Sequence, residues 1–104
     1  MKGETMSFAD EYDFELLKNE SEKLVIGELG RQLEESKDDT ICRCNTCIVD
    51  MAAMALNMVK PLYRVTLLGT QYAAQAMSER AYADSVKKGV ARAIDKVRKN
   101  PAHD

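Results

Sequence analysis

Three cysteines fall within six consecutive residues, and the chain has no others. They are Cys42, Cys44 and Cys47, in the pattern C-x-C-x-x-C. This spacing lets three sulfur atoms converge from one turn, and Zn²⁺ binds thiolates at about 2.3 Å in a tetrahedron. Arg43 and a helix start next to Cys47 both favour the thiolate form. The pattern therefore predicts either a metal site or a reactive thiol cluster.

The cysteine pattern lacks a fourth zinc ligand. The single histidine, His103, lies in the last two residues of the chain and is a poor candidate. Asp38, Asp39, a water molecule or a partner chain would complete the shell, and nothing in the sequence selects among them. The alternative interpretation is that the three cysteines are reduced, half-buried residues without a ligand, because complete zinc patterns supply four ligands.

The segment after the cysteines is the most apolar helical stretch of the chain. Its apolar residues recur at i, i+3, i+4 and i+7, namely at Ile48, Met51, Ala52, Ala55, Leu56 and Val59. Asp50 and Asn57 are the only polar residues inside the run. Because a helix that is apolar nearly all round is buried on several sides, we expect a central helix covered by flanking helices or by a second chain.

The boundaries of this central helix follow from its flanking residues. Thr46 or Cys47 is expected to cap its start, which places Asp50 near the first turn. The helix is expected to end near Val59, because Pro61 cannot continue it.

The part of the chain before the cysteines predicts disorder over 1–7 and then one long amphipathic helix, or two in tandem, over 8–36. The apolar stripe of this region has helical spacing and consists of Phe14, Leu17, Leu24, Val25, Leu29 and Leu33. Gly27 and Gly30 each weaken a helix by about 1 kcal/mol relative to alanine, so we expect a bend or a close helix contact there.

The part after Pro61 predicts a short extended segment over 62–65, one that pairs with its own copy in a dimer. Thr66 is expected to cap a third helix. A fourth helix follows, with the stripe Ala83, Val86, Val90, Ile94 and Val97. The fold class we predict is all-α, with about four helices around a buried central helix in a single domain over 8–101, and a homodimer.

Composition excludes several classes of protein. The 104 residues carry a formal charge of −2, so no global charge draws the chain to DNA or to a membrane surface. No apolar run approaches the ~20 residues of a membrane span, and the N-terminus does not have the pattern of a signal peptide. We expect a cytoplasmic protein, because an odd number of cysteines suits a reducing compartment. We also expect no enzymatic activity, because a lone terminal histidine leaves no Cys-His or Ser-His arrangement.

Four ordered motifs resemble the bacterial late competence protein ComFB family. The first is Asn19-Glu-Ser-Glu22 with Leu24-Val25 and Leu29. The second and most specific is CRCNTCIVDMAAMALN, in which the three cysteines, Asp50 and the Ala-Leu-Asn ending match the family pattern. The third is Pro61-x-Tyr63-x-Val65-Thr66 with Gly69 and Tyr72, and the fourth is Ala93-Ile94 with Val97 and Pro101. The resemblance extends from about Asn19 to Pro101.

The resemblance implies an all-helical fold, a homodimer, a zinc site at the cysteine turn and the binding of cyclic di-GMP or cyclic di-AMP. It also implies action through a partner such as a transcription factor. Relatives commonly have Pro-Pro-Arg before the tyrosine, where this chain has Lys60-Pro61-Leu62. If that arginine contacts the ligand in relatives, its role here is lost or has moved to Lys60 or Arg64.

A cyclic dinucleotide presents two phosphates and two purines, so its site needs cationic groups and flat faces for stacking. The residues that meet these needs around the central helix are Arg43, Lys60, Tyr63, Arg64 and Thr66. Asp50 or Asn57 would read a guanine edge. A homodimer would present these groups twice, matching a two-fold ligand.

Three other interpretations stay open. The fourth helix carries Lys87, Lys88, Arg92, Lys96, Arg98 and Lys99, which would suit direct nucleic-acid binding. The cysteines alone would suit a redox or metal sensor. The chain could also be a structural helical dimer without a small-molecule ligand.

Overall fold

The computed structural model describes residues 7–101. Within this range the chain forms five α-helices, and their bounds are α1 Phe8–Glu11, α2 Ser21–Glu35, α3 Asn45–Met58, α4 Leu67–Met77 and α5 Arg80–Lys99. A 3-10 turn, Phe14–Leu16, follows α1. Two short strands, β1 Lys18–Asn19 and β2 Tyr63–Arg64, pair antiparallel with Lys18 opposite Arg64. The predicted all-α class is confirmed, with α2 to α5 as the main helices.

The central helix is α3, which packs against α5 and α2. Its buried residues are Cys47, Met51 and Ala55, spaced by four as one helical face requires. The opposite face is exposed at Val49. The helix ends at Met58, and Val59 has extended backbone angles, so the end predicted from Pro61 is confirmed.

The start of α3 differs from the prediction. Its N-cap is Cys44, whose sulfur accepts a hydrogen bond from the backbone N–H of Cys47 at 3.4 Å. The cap is therefore neither Thr46 nor Cys47. It lies two residues before Thr46, because the Cys44 sulfur accepts one of the helix-start N–H groups that have no partner within the helix. Asp50 therefore lies beyond the first turn, which holds no carboxylate.

Helices α2 and α5 supply the rest of the core. Val25, Leu29 and Leu33 of α2 are buried, as the predicted stripe requires. Helix α5 buries a longer face, which consists of Tyr82, Val86, Gly89, Val90, Ala93 and Val97. Two members of its predicted stripe are less covered, since Ile94 is half-buried and Ala83 is exposed.

The prediction of one long helix, or two in tandem, over 8–36 is confirmed over Ser21–Glu35 and is wrong for most of the residues before it. The chain leaves helical geometry at Tyr12, and α2 begins only at Ser21. Leu17 and Leu24, which were expected to be in the stripe, are exposed. The predicted contact at the α2 glycines is also wrong, because a Cβ atom added at Gly27 or Gly30 would meet nothing within 4 Å.

The extended segment predicted after Pro61 is confirmed at Tyr63 and Arg64. Within the chain it pairs with β1. The backbone N–H of Glu20 also donates to the carbonyl oxygen of Leu62 at 2.8 Å. These bonds fix the start of α2 against the segment that follows α3.

Thr66 caps α4 as predicted, since its hydroxyl accepts a hydrogen bond from the Gly69 N–H at 3.3 Å. The predicted disordered stretch, 1–7, lies outside the described residues apart from Ser7, which precedes α1. None of the helices between residues 7 and 101 combines the length and the hydropathy of a segment that crosses a bilayer.

Candidate functional site

The three cysteines converge at the start of α3. The ligand sulfur atoms of Cys42, Cys44 and Cys47 all lie within 4.8 Å of one another. In a tetrahedron with bonds of about 2.3 Å, two thiolates are about 3.8 Å apart, so a small inward movement would bring these sulfurs to a metal ion. Cys47 is fully buried and lies in the first turn of α3, where unpaired backbone N–H groups favour a negative charge. The cluster is compatible with a metal site.

Among residues 7–101 this cluster supplies three ligand atoms. Asp38, one candidate for a fourth, already accepts hydrogen bonds from the backbone N–H and the hydroxyl of Thr40. These bonds hold the pKa of the Asp38 carboxyl below its usual range. Asp39 is exposed on the same loop. His103 lies outside the described residues.

Arg43 links the cysteine turn to the end of α2. Its guanidinium donates a hydrogen bond to the backbone carbonyl of Leu33 at 2.8 Å. That carbonyl belongs to the last turn of α2, where carbonyl oxygens lack partners within the helix. Arg43 therefore holds together the two helix ends that flank the cysteines. It also lines a depression of about 400 Å³ beside Asp38 and Asp39.

A second candidate site lies at the other end of α3. A cavity of about 620 Å³, here called the β1–β2 cavity, is lined by Leu17, Lys18, Asn19, Glu20, Glu22, Lys23, Tyr63 and Arg64. Tyr63 is 57% exposed. The Nε group of Arg64 donates to the Glu20 carboxylate, which leaves the two Nη groups of this guanidinium for other acceptors. The cavity thus combines an aromatic face with a guanidinium that is held in place.

Asn19 organises this cavity and was missed as a functional residue. Its Oδ1 accepts hydrogen bonds from the Ser21 N–H, the Ser21 hydroxyl and the Leu62 N–H, at 3.2, 2.8 and 2.8 Å. The available signal was an asparagine two residues before a helical pattern, which is typical of a helix start. Its bond to Leu62 left no local signal, because the two residues are distant in sequence.

The remaining predicted ligand residues lie in different surroundings. Lys60 is exposed, and its carbonyl accepts a hydrogen bond from the Tyr82 hydroxyl at 2.9 Å. Asn57 is exposed on α3, and Thr66 is occupied as the cap of α4. Asp50 is half-buried beside a shallow depression of about 350 Å³ that contains Thr46 and Val49.

The seven predicted ligand residues therefore do not line one cavity of one chain. Tyr63 and Arg64 lie together, after the C-terminal end of α3. Arg43 lies before the N-terminal end of this helix, which has 14 residues. Because a helix of this length spans about 21 Å, the two groups lie at opposite ends of α3 and not in one cavity.

The basic C-terminal part of α5 is partly neutralised. Asp95 forms ion pairs with Arg98 at 2.6 Å and with Lys99 at 3.1 Å. The hydrogen bond from Arg98 is the main reason that the pKa of Asp95 is lowered from its usual range. Two of the six cations that suggested a nucleic-acid surface thus have an acidic partner on the same helix.

A comparison with curated proteins gave no match. The chain is similar in structure to the late competence protein ComFB from Bacillus subtilis. The two are 22% identical, with a TM-score of 0.66, over 83% of this chain and 92% of the other. The sequence profile of the family described as late competence development protein ComFB matches residues 18–101. This match includes the cysteine cluster and both strands, and the chain belongs to the ComFB family.

Proposed function

We propose that this chain is a receptor for a cyclic dinucleotide, cyclic di-GMP or cyclic di-AMP, and that it acts through a protein partner and not as an enzyme. The observation that carries the proposal is the exposed Tyr63 ring beside Arg64 at a cavity of about 620 Å³. This volume falls within the range of about 300–1,000 Å³ that is typical of small-molecule sites.

The cavity has groups for both parts of such a ligand. The Tyr63 face offers a surface on which a purine can stack. The Nη groups of Arg64 can pair with two phosphate oxygens, while Glu20 holds Nε and fixes the plane of the guanidinium. Lys18 and Lys23 add positive charge to the wall of the cavity. Glu20 and Glu22 oppose them, so we expect binding to depend strongly on the few cations that are present.

The proposal includes a homodimer, and α4 is the surface that supports it. This helix buries only Ala73, whereas Leu67, Leu68 and Tyr72 are 75%, 76% and 62% exposed. Because α4 follows β2 directly, pairing two α4 helices would bring two Tyr63–Arg64 pairs near one two-fold axis, where a symmetric ligand could contact both.

The dimer is tested with Leu68→Glu, which puts a charge on the exposed face of α4. At low protein concentration, we expect light scattering after gel filtration to give the mass of two chains for the wild type and of one chain for this variant. Val49→Glu, on the exposed face of α3, is the matched control and should remain dimeric. A wild-type mass of one chain at all concentrations would contradict this part of the proposal.

We also propose that Cys42, Cys44 and Cys47 hold a structural zinc ion. The proximity of the three sulfurs supports this, as does the position of Cys47 in the first turn of a helix. When bound, zinc would cross-link the loop before α3 to the helix and so stabilise the folded chain. Metal analysis of the purified chain should give one zinc ion per chain, or one per site if a partner chain shares the site.

Cys44 offers a test that separates its metal role from its capping role. Cys44→Ser and Cys44→Ala should both reduce zinc content, but serine is a good N-cap and alanine is not. After chelation, we therefore expect the alanine variant to be about 1 kcal/mol less stable than the serine variant in urea denaturation. Equal zinc content in both variants and in the wild type would exclude Cys44 as a ligand.

Ligand binding is tested by thermal denaturation of the zinc-loaded chain with cyclic di-GMP, cyclic di-AMP and the matching linear dinucleotides. A ligand at one hundred times its dissociation constant adds about 2.7 kcal/mol to the free energy of unfolding, so one cyclic form should raise the melting temperature. Tyr63→Ala and Arg64→Ala should remove this shift.

The control is Arg98→Ala, because Arg98 is also an arginine bonded to a carboxylate but lies outside the cavity. It should keep the melting shift. Binding that persists in Arg64→Ala would overturn the placement of the site. No shift from either cyclic dinucleotide would overturn the proposed function.

A further inference from the structure

The N-terminal segment from Ser7 to Leu17, here called the arm, lies outside the region shared with the family, which begins at residue 18. It carries four carboxylates and no Lys or Arg. The rings of Phe8, Tyr12 and Phe14 contact one another, with centroids 5.0 to 6.4 Å apart. They nevertheless remain 68%, 59% and 51% exposed. The arm is therefore an acidic, aromatic segment that its own chain does not cover.

A groove between α2 and α5, which shares Lys23 with the β1–β2 cavity, has the complementary character. This α2–α5 groove has a volume of about 350 Å³, and its apolar lining consists of Leu24, Gly27, Met77, Ala83 and Val86. It is open at Gly27, where an added Cβ atom would meet nothing within 4 Å. The side-chain amide of Gln32 donates to the Lys87 carbonyl at 3.0 Å and holds the two helices together.

The charged rim of the groove is net positive. Lys23, Glu28, Arg31 and Lys87 line it. The Glu28 carboxylate is occupied by Arg31, at 2.6 Å, and by the Gln32 amide. The ion pairs within residues 7–101 involve Arg31, Arg64, Arg98 and Lys99, so Lys23 and Lys87 take part in none of them. Two lysines are thus available to acidic groups from outside.

We propose that the arm of one copy docks in the α2–α5 groove of a second copy, with its aromatic rings on the apolar floor and its carboxylates at Lys23 and Lys87. Within one chain the arm lines no part of this groove, and its last residue, Leu17, lines the β1–β2 cavity instead. The exposed lining of one groove is small, so two reciprocal arms would form a weak contact that appears at higher protein concentration than the α4 dimer.

This contact does not depend on a cyclic dinucleotide, and it is separate from the α4 surface. Its test uses the absence of tryptophan from the chain. Phe14→Trp introduces a single reporter whose emission moves to shorter wavelength when the ring leaves water. We expect this shift in the full-length chain as the protein concentration rises, together with protection from a soluble quencher.

The groove is tested by placing Lys23→Glu and Lys87→Glu in the F14W chain. We expect this pair to raise the midpoint concentration of the emission shift about tenfold or more. Lys88→Glu with Lys96→Glu is the matched control, because it changes the net charge equally on α5 but outside the groove. The control should leave the midpoint within about twofold.

Emission typical of an exposed ring at every concentration would overturn the proposal. In an F14W chain that also carries Leu68→Glu, and so lacks the α4 dimer, a shifted emission that is independent of concentration would also overturn it, because the arm would then lie on its own chain. An equal effect of the two charge-reversal pairs would exclude the groove. Loss of ligand response alone, with the emission shift intact, would count against the receptor function and not against this contact.

Discussion

Asn19 ties the β1–β2 cavity to the core through three hydrogen bonds accepted by one side-chain oxygen. Asn19→Ala would leave the hydroxyl of Ser21, which is fully buried, and the Leu62 N–H without this acceptor. Leaving such groups unsatisfied costs about 1–3 kcal/mol, so we expect a loss of about 2–3 kcal/mol in the free energy of unfolding by urea.

Asn19→Asp is the matched control, because it keeps the accepting oxygen and the shape of the side chain. It should retain most of the stability at neutral pH. If Asn19→Ala were as stable as Asn19→Asp, these hydrogen bonds would not hold the cavity to the core.

Tyr82 makes stability depend on alkaline pH. Burial raises the pKa of its hydroxyl above the usual value of 10.0. Between the unfolded and the folded pKa, the unfolded chain loses this proton while the folded chain keeps it. The contribution of Tyr82 to the free energy of unfolding is therefore fully present below about pH 10. It is lost as the pH rises from there through the folded pKa.

Tyr82→Phe should flatten this alkaline decline in urea denaturation measured across pH. It should also cost about 1 kcal/mol at neutral pH, because the hydrogen bond to the Lys60 carbonyl is lost. Tyr72→Phe, at an exposed ring, should change neither quantity. An unchanged alkaline decline in Tyr82→Phe would assign the effect to other groups.

At the scale of elements, Gly89 sets the approach of α5 to α3. A Cβ atom at Gly89 would lie 3.0 Å from Val59 Cγ2 and 3.6 Å from Met58 Cβ. Val59 is buried and β-branched, so it has little freedom to move away. We expect Gly89→Ala to lower the free energy of unfolding by about 1–2 kcal/mol, despite the better helix propensity of alanine.

Gly30→Ala is the control for this substitution, because it makes the same change at an open position of α2. We expect it to raise stability by about 0.5–1 kcal/mol in the same measurement. If both variants gained stability, the contact between α3 and α5 would be looser than the structure indicates.

The elements that the sequence predicts well are those with a long apolar stripe and a clear end. Helix α5 has its stripe from Val86 to Val97, and α3 ends before Pro61 as expected. The strands have two residues each and carry no periodic signal, so their pairing within the chain could not be predicted. The 8–36 region was predicted as helix because its apolar spacing is helical. Asn19 instead lies in strand β1, where it bonds a residue 43 positions away in the sequence.

At the scale of the whole molecule, the cysteine cluster followed from spacing, because its three residues are neighbours in sequence. Tyr63 and Arg64 were likewise predicted together. The other wall of their cavity, with Lys18, Glu20 and Lys23, arises only from tertiary contact between β1 and β2. The sequence does not show tertiary contacts, and for this reason Arg43 and Arg64 were predicted to line one site. In the structure α3 separates them.

The receptor function is tested most directly by isothermal titration of the zinc-loaded, full-length chain with cyclic di-GMP and with cyclic di-AMP. We expect saturable heat from one of them, with one ligand for two chains, and none from its linear counterpart or with Arg64→Ala. This stoichiometry follows from two Tyr63–Arg64 pairs around one two-fold ligand. The absence of saturable heat from both cyclic dinucleotides, at concentrations well above micromolar, would contradict the account.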